Sequence, residues 1–357
     1  MAQWIVEGEP ELDLFPWDLA RFGKWPDKKY TKARALDCYA NRFKIHFPYE
    51  EREAGRPLKT RPVYEKQKAA GAVFGLNYGW EHPLWFAKEG VKPAEDYGFE
   101  RQAWFDHVRD ECEAMRESVG MLDVSNYAKY EIKGPGCADW LDKIIANNIP
   151  TEVGRSCLTP MLGVRGGIAG DFTVTKLADD HFWMFGSGMA EEYHKRFWEM
   201  VPAPDGVTLE SRTEDHCGFS IAGPKSREML QRMTNADLSN DAFKFMRSQK
   251  LGIAGIDALA MRVSFTGDLG WEIYVPTEHQ LALYDALMKE GESYGLRLVG
   301  GRSLLSLRVE KGYGSWGREY SPEYWPHEVG LERLINCLLY TSPSPRDATL
   351  SRMPSSA

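Results

Sequence analysis

The chain has 357 residues, which at roughly 150 per domain points to about two domains and is ample for a large buried core. It carries 44 basic and 52 acidic residues, a net charge of −8, whereas a nucleic-acid binder normally shows a basic surplus. Charged residues make up 27% and aromatics 12%, a mix that excludes broad disorder. No apolar run approaches the ~20 residues of a membrane-spanning helix, and Ile5-Val6-Glu7 is no signal-peptide core. The six cysteines (38, 112, 137, 157, 217 and 337) are scattered, with no Cys-x-x-Cys. Neither a zinc site nor a secreted disulfide framework is expected, and a soluble, reducing, cytoplasmic setting is.

Residues 1–78 are dense in Trp, Pro and basic side chains, as in Phe15-Pro16-Trp17 and Lys24-Trp25-Pro26. Helical periodicity is weak there except across 32–43. Trp4, Trp17 and Trp25 need apolar cover, which so short and irregular a zone cannot supply by itself. The zone reads as the end of a larger domain.

From 79 to 336 the pattern alternates between α and β. Trp104, Val108, Cys112, Met115 and Val119 form one helical stripe, with Gly120 as its C-cap. Thr277 is placed to cap a helix carrying Leu281, Tyr284, Leu287 and Met288, closed by Gly295. Residues 303–311 read as a further helix ended by Gly312. An internal repeat lies within this zone. Ile132-Lys133-Gly134-Pro135 returns 89 residues later as Ile221-Ala222-Gly223-Pro224. Each copy reads as a strand, a Gly at the N-cap, a Pro at the first helical position and then a helix. At the same offset Phe182–Phe185 falls on Trp271–Tyr274, so a duplicated α+β unit is expected. Residues 337–357 are rich in Ser and Pro without periodicity, read as disordered, and resemble read-through of a sequencing adapter; they are given no function.

Three stretches carry chemistry. In Arg165-Gly166-Gly167-Ile168-Ala169-Gly170-Asp171-Phe172, the Gly pair allows a tight turn. Asp171 is expected at the edge of a strand beginning at Phe172, beside Gly170. It is either a ligand-facing carboxylate or a turn Asp bonding nearby backbone. In Phe265-Thr266-Gly267-Asp268-Leu269-Gly270-Trp271-Glu272-Ile273-Tyr274, alternation puts Leu269, Trp271 and Ile273 on one face and Asp268, Gly270 and Glu272 on the other. Glu272, cleared by Gly270, is suited to accept N–H donors from a flat amino-heterocycle; the alternative is an exposed polar strand face. Arg302 stands near a helix start, where its charge opposes the helix dipole and an anionic ligand would offset the cost. Arg308 and Glu310 read as solvated or in local ion pairs. The eight histidines show no metal-ligand spacing, and no metal is expected. His194 reads as a helix-surface residue and His107 as structural. No Walker loop or Gly-x-Ser-x-Gly occurs.

In order along the chain, Gly79-Trp80-Glu81-His82-Pro83-Leu84, Gly120-Met121-Leu122-Asp123-Val124-Ser125, the Gly166-to-Asp171 stretch, Phe265-to-Glu272 and Leu307-Arg308-Val309-Glu310-Lys311-Gly312 resemble the motifs of the folate-binding aminomethyltransferase family, the glycine-cleavage T-protein and its relatives. The nearer likeness is to the fused flavoproteins of that family, the dimethylglycine and sarcosine dehydrogenases. Residues 1–78 resemble the end of their FAD-linked oxidase domain, Gly170 stands for the first Asp of the transferase pair, and Glu310-Lys311-Gly312-Tyr313 resembles their form of the last motif.

The resemblance implies an α+β fold of duplicated α/β units, in which 79–336 form the folate-binding domain. It implies oxidation of an N-methyl amine by the flavin and transfer of the one-carbon unit to tetrahydrofolate, giving 5,10-methylene-tetrahydrofolate. FAD would then belong to a part of the protein outside this chain, which reads as a fragment also lacking the family's C-terminal β-rich domain. By the same resemblance Asp171 acts at folate N10 and Glu272 holds the pterin. Phe265, at a family Tyr position, packs on the folate without offering a hydroxyl, and Gly170 and Arg302 line the cofactor. Leu158 and Arg333 stand at family Tyr and Trp positions. The partner is a small molecule; no nucleic acid and no membrane is expected, and the sequence leaves oligomeric state open. Two alternatives are a stand-alone folate-dependent methyltransferase, disfavoured by the Trp-rich start, and a non-catalytic folate-binding protein, disfavoured by Tyr313 where that group carries Cys.

Overall fold

The computed structural model describes residues 2–8, 10 and 12–336, so the tail read as disordered lies outside the described residues. The N-terminal part holds α1 (Ala2–Glu7), α2 (Lys28–Ala40) and α3 (Tyr64–Ala69). A hairpin of β1 (Ala72–Asn77) and β2 (Trp80–Phe86) follows. Next come α4 (Phe105–Glu117), β3 (Val119–Asp123), β4 (Ala128–Lys133) and α5 (Cys137–Ile144). Strands β5 (Ser156–Leu162), β6 (Ile168–Ala178) and β7 (His181–Gly186) lead to α6 (Glu191–Met200). Then β8 (Thr208–Ser211), β9 (His216–Ala222), α7 (Ser226–Gln231), β10 (Ser248–Ile253) and β11 (Ile256–Met261) precede β12 (Gly270–Pro276) and α8 (Gln280–Gly291). The last two are β13 (Leu296–Val299) and α9 (Gly301–Glu310).

Local chemistry explains the boundaries. Helix α2 begins where the Asp27 carboxylate accepts the Tyr30 N–H at 2.6 Å. Trp25 finds cover edge-on against the Tyr30 ring, while Trp17 stays exposed. Helix α4 buries Val108 and Met115 but stops at Glu117, and Val119 and Gly120 belong to β3. Gly120 is therefore not a helix cap. It lacks a side chain because α4 presses on the strand, and a Cβ there would lie 2.6 Å from Met115 Sδ. Thr277 opens a single 3₁₀ turn before α8, and a second 3₁₀ turn after α8 ends at left-handed Gly295, with φ 70°.

The chain divides into two compact units. One takes the residues up to Gly23, then Tyr127–Arg212, then the residues from Gly314. Its antiparallel sheet runs β5-β6-β7-β4-β8. Tyr130, Ile132, Phe172, Val174, Phe182 and Met184 pack there under Leu141 of α5 and Trp198 of α6. Burying each such side chain contributes about 1.5–3 kcal/mol.

The other unit takes Lys24–Asn126 and Thr213–Tyr313. Its six-stranded sheet runs β10-β11-β12-β9-β3-β13, antiparallel except for the β13–β3 pair. Trp271, Ile273 and Val275 of β12 pack with Met121, Ile221, Leu283 and Leu287.

The repeat is present in the pairing itself. Strand β4 pairs with β7, with Ile132 opposite Phe182. Strand β9 pairs with β12, with Ile221 opposite Trp271. Helices α5 and α7 follow β4 and β9, and α6 and α8 follow β7 and β12, all at the 89-residue offset. One detail differs from expectation. Gly134 and Gly223 are not N-caps, and the prolines after them are not helical. Each glycine opens a turn, accepting the N–H of Cys137 or Ser226 at 3.1 Å, and the helix starts only there. Their φ angles, 117° and 125°, are open to glycine alone.

Candidate functional site

Asp171 lies in the unit built on the five-stranded sheet. It is inside β6, opposite Pro160 on β5, and not at a strand beginning, because β6 already starts at Ile168. The expected turn precedes it: Gly166 has φ 81° and donates to the Gly163 carbonyl. Phe172 and Val174 enter the core, so alternation directs Asp171 to the other face. Its carboxyl is half-buried, and desolvation pushes its pKa up to about 7. A carboxyl held near neutrality can exchange a proton with a ligand at physiological pH.

Gly170 faces inward. A Cβ there would fall 2.8 Å from the Phe172 ring and 3.0 Å from His194 Nε2, so protein fills its side-chain direction. His194 is not a surface residue. It is fully buried on α6, its Nδ1 lies 3.1 Å from the Tyr130 hydroxyl, and burial holds its pKa down at about 3. The string Tyr193-His194-Lys195-Arg196 looks polar, yet Tyr193 and His194 turn inward together. His107 is structural, as expected, accepting from the Lys88 N–H and packing against Trp85.

Glu272, Phe265 and Arg302 lie in the other unit. Trp271, Ile273 and Val275 fill the core face of β12, and Glu272 and Tyr274 share the opposite face. That face is not exposed, for Glu272 is 7% and Tyr274 1% accessible. The Tyr274 hydroxyl donates to Glu272 Oε2 at 2.7 Å. Gly270 is small for a packing reason, since a Cβ on it would meet Ala222 Cβ at 2.7 Å.

Phe265 stacks on Tyr313, with centroids 6.2 Å apart and rings 16° from parallel. Tyr313 is 38% exposed and adds a phenol beside the ring that lacks one. An ionised carboxylate only accepts hydrogen bonds, and a flat aromatic pair offers a stacking face; each is the kind of group that a planar heterocycle bearing N–H groups can use.

Arg302 is the second residue of α9. Its Nη2 donates to Glu95 Oε1 at 2.8 Å, and its guanidinium lies 4.8 Å from the Trp104 ring centre. The anion that offsets its unfavourable place at the helix start is thus Glu95. Arg308 is not solvated: it is buried and donates to the Tyr313 carbonyl at 2.7 Å. Glu310 forms an ion pair, though not a local one: its partner Arg116 lies on α4. The first two family-like motifs are tied into the scaffold. Glu81 takes two bonds from Arg56, at 2.9 and 2.6 Å, and Trp80 lies under the Arg61 guanidinium. Asp123 accepts from Gln67.

The Tyr274 and Tyr313 contributions were not singled out from sequence. Alternation along β12 was the available signal for Tyr274. Tyr313 stood in the last family-like motif, but nothing there pointed to its pairing with Phe265, more than forty residues away.

The profile of the GCVT N-terminal domain family matches residues 63–337, and that of the FAD-dependent oxidoreductase central domain matches 7–60. Mitochondrial dimethylglycine dehydrogenase of Mus musculus is 35% identical over 338 residues, 94% of this chain and 39% of that protein. Mitochondrial sarcosine dehydrogenase of Homo sapiens is 31% identical over 372 residues, 93% of this chain and 40% of that protein. The chain therefore spans about two fifths of the length of these dehydrogenases. The crystal structure of the glycine cleavage system aminomethyltransferase T from Bartonella henselae shares the fold, with TM-score 0.66 and 24% identity over 78% of this chain and 70% of that one. Among the described residues no helix is long and apolar enough to cross a membrane. The chain belongs to the GCVT aminomethyltransferase family and carries, ahead of that domain, the end of an FAD-dependent oxidoreductase central domain.

Proposed function

We propose that this chain is the tetrahydrofolate-binding, one-carbon-transfer part of an FAD-dependent N-methyl amine dehydrogenase of the dimethylglycine or sarcosine type. Residues 1–78 are read as the remnant of the flavin-linked domain and 79–336 as the folate-binding domain. The observation that carries the proposal is the match of residues 63–337 to the GCVT N-terminal domain family; Asp171, whose carboxyl pKa burial pushes up to about 7, lies on that stretch. Bound tetrahydrofolate supplies N5 and N10, which take up a one-carbon unit at the formaldehyde level and release water. Asp171 accepts the proton that N10 gives up as the methylene bridge closes, a role in which a positioned base contributes ~10²–10⁴-fold. Glu272 accepts the pterin N–H groups, and Phe265 packs on the ring. Gly170 and Arg302 are assigned to the cofactor surroundings, Gly170 through the backbone and Arg302 in exchange for its bond to Glu95. The Gly-x-Gly-x-x-Gly spacing of Gly312-Tyr313-Gly314-Ser315-Trp316-Gly317 follows helix α9 and not a strand, unlike a dinucleotide fingerprint, and no residue of this chain is assigned to the flavin.

The oxidoreductase match at 7–60 favours this reading over a stand-alone methyltransferase. The scattered cysteines support a reducing compartment such as the cytoplasm, while both dehydrogenase relatives are named mitochondrial.

Calorimetric titration of tetrahydrofolate into the whole chain and its Glu272→Ala variant tests the proposal. Micromolar binding, weakened at least about tenfold in the variant, is expected from loss of a charged hydrogen-bonding group. A folded chain that takes up no tetrahydrofolate would overturn it.

A further inference from the structure

We infer that Tyr274 is a positioning residue for Glu272, fixing the carboxylate that receives the ligand; the inference rests on the folate reading above. The two residues are two apart on β12 and so share a face. The Tyr274 hydroxyl donates to Glu272 Oε2 at 2.7 Å, and both residues are buried.

The neighbouring strand is shaped for this bond. The residue opposite Tyr274 on β9 is Gly218, and the residue opposite Glu272 is Ser220. A Cβ on Gly218 would lie 2.5 Å from Tyr274 Cδ1 and 2.6 Å from Cε1. The phenol ring therefore lies across the backbone of Gly218, in space that any other residue there would occupy. A ring held this way has little rotational freedom, and its hydroxyl has a fixed reach along the strand.

Two consequences follow for binding. A carboxylate with one oxygen already bonded is held in one rotamer, so less side-chain entropy is lost when a ligand arrives. The bond is also charge-assisted, stronger and more directional than one between neutral groups. Tyr274 acts through Glu272 and touches no ligand itself.

The experiment compares tetrahydrofolate binding by wild type, Tyr274→Phe, Glu272→Ala and the double variant, with thermal unfolding of each. Tyr274→Phe keeps the ring over Gly218 and should unfold near the wild-type temperature. It should bind about tenfold more weakly, the scale of one hydrogen bond to a charged group. In the Glu272→Ala background the same change should cost nothing further, because there is no carboxylate left to position. A merely structural role would weaken binding by the same factor in both backgrounds, and that result overturns the inference. Wild-type affinity in Tyr274→Phe, with Glu272→Ala impaired, overturns it while leaving the folate reading intact. Failure of the folded wild type to bind at all overturns the folate reading and this inference with it.

Discussion

The hydroxyl of Tyr130 and Nδ1 of His194 face each other at 3.1 Å in the core of the five-stranded unit, both wholly out of reach of solvent. Among the described residues no hydrogen-bond partner meets His194 Nε2, and burial keeps the imidazole neutral down to a pKa of about 3. In the unfolded chain the same group titrates near 6.5. Between those values the unfolded state holds a proton that the folded state refuses, so stability falls as pH drops from about 6.5 towards 3. The loss should reach roughly 2–4 kcal/mol. Urea unfolding at pH 8, 6 and 4.5 measures it. His194→Asn should start less stable at pH 8, because packing against Phe172 and Trp198 is lost, but should lose less on acidification. Parallel pH curves for the two proteins would remove the buried imidazole from the account.

Asp171 works with the opposite sign. Its folded pKa, about 7, lies above the unfolded value near 3.8. Here the folded state holds the extra proton, so stability declines as pH rises from 3.8 to about 7 and is level beyond. Asp171→Asn removes the cost of the charge. It should stabilise the chain at pH 8 by on the order of 1–2 kcal/mol. It should change little at pH 4. The same variant should lose the one-carbon transfer proposed for the site. A variant less stable than wild type at pH 8 would mean that the carboxylate is satisfied by partners and not penalised by burial.

Much of the fold was legible in the chain because it rests on local pattern. The Ile-x-Gly-Pro repeat and the 89-residue offset of Phe182 and Trp271 pointed to a duplicated unit, and the structure supplies its pairings, β4 with β7 and β9 with β12. The two faces of β12 followed from alternation alone. What pattern could not supply was the identity of the neighbour across space. Gly120 looked like a helix end because nothing in the sequence says that Met115 lies on it. His194 looked exposed because its flanking residues are polar, yet Tyr130 on strand β4 supplies its partner. Arg302 looked available to a ligand, and Glu95, some two hundred positions away, already bonds it. The His194 and Arg302 misses concern contacts between distant segments, and the Gly120 miss concerns the packing of one element on the next; propensity carries no information on either.

The two repeat glycines give the sharpest test of the duplicated turn. Gly223 has φ 125°, and a Cβ there would fall 2.4 Å from the Ser118 carbonyl oxygen. Gly134 has φ 117°, and its Cβ would fall 2.0 Å from the carbonyl oxygen of Gly206. Both obstacles are backbone and cannot swing aside as a side chain could. Gly295 is a fitting control, since its φ is 70° but the nearest atom to a new Cβ is 3.9 Å away. Gly295→Ala should therefore cost only the left-handed penalty, about 1–2 kcal/mol. Gly223→Ala and Gly134→Ala carry a comparable penalty plus a main-chain collision, and each should cost at least about 2 kcal/mol more than the control. Thermal unfolding of the three variants decides it. Equal losses at all three positions would mean that the strand-to-helix turns yield freely, and that the close approach after β4 and β9 is not what requires glycine there.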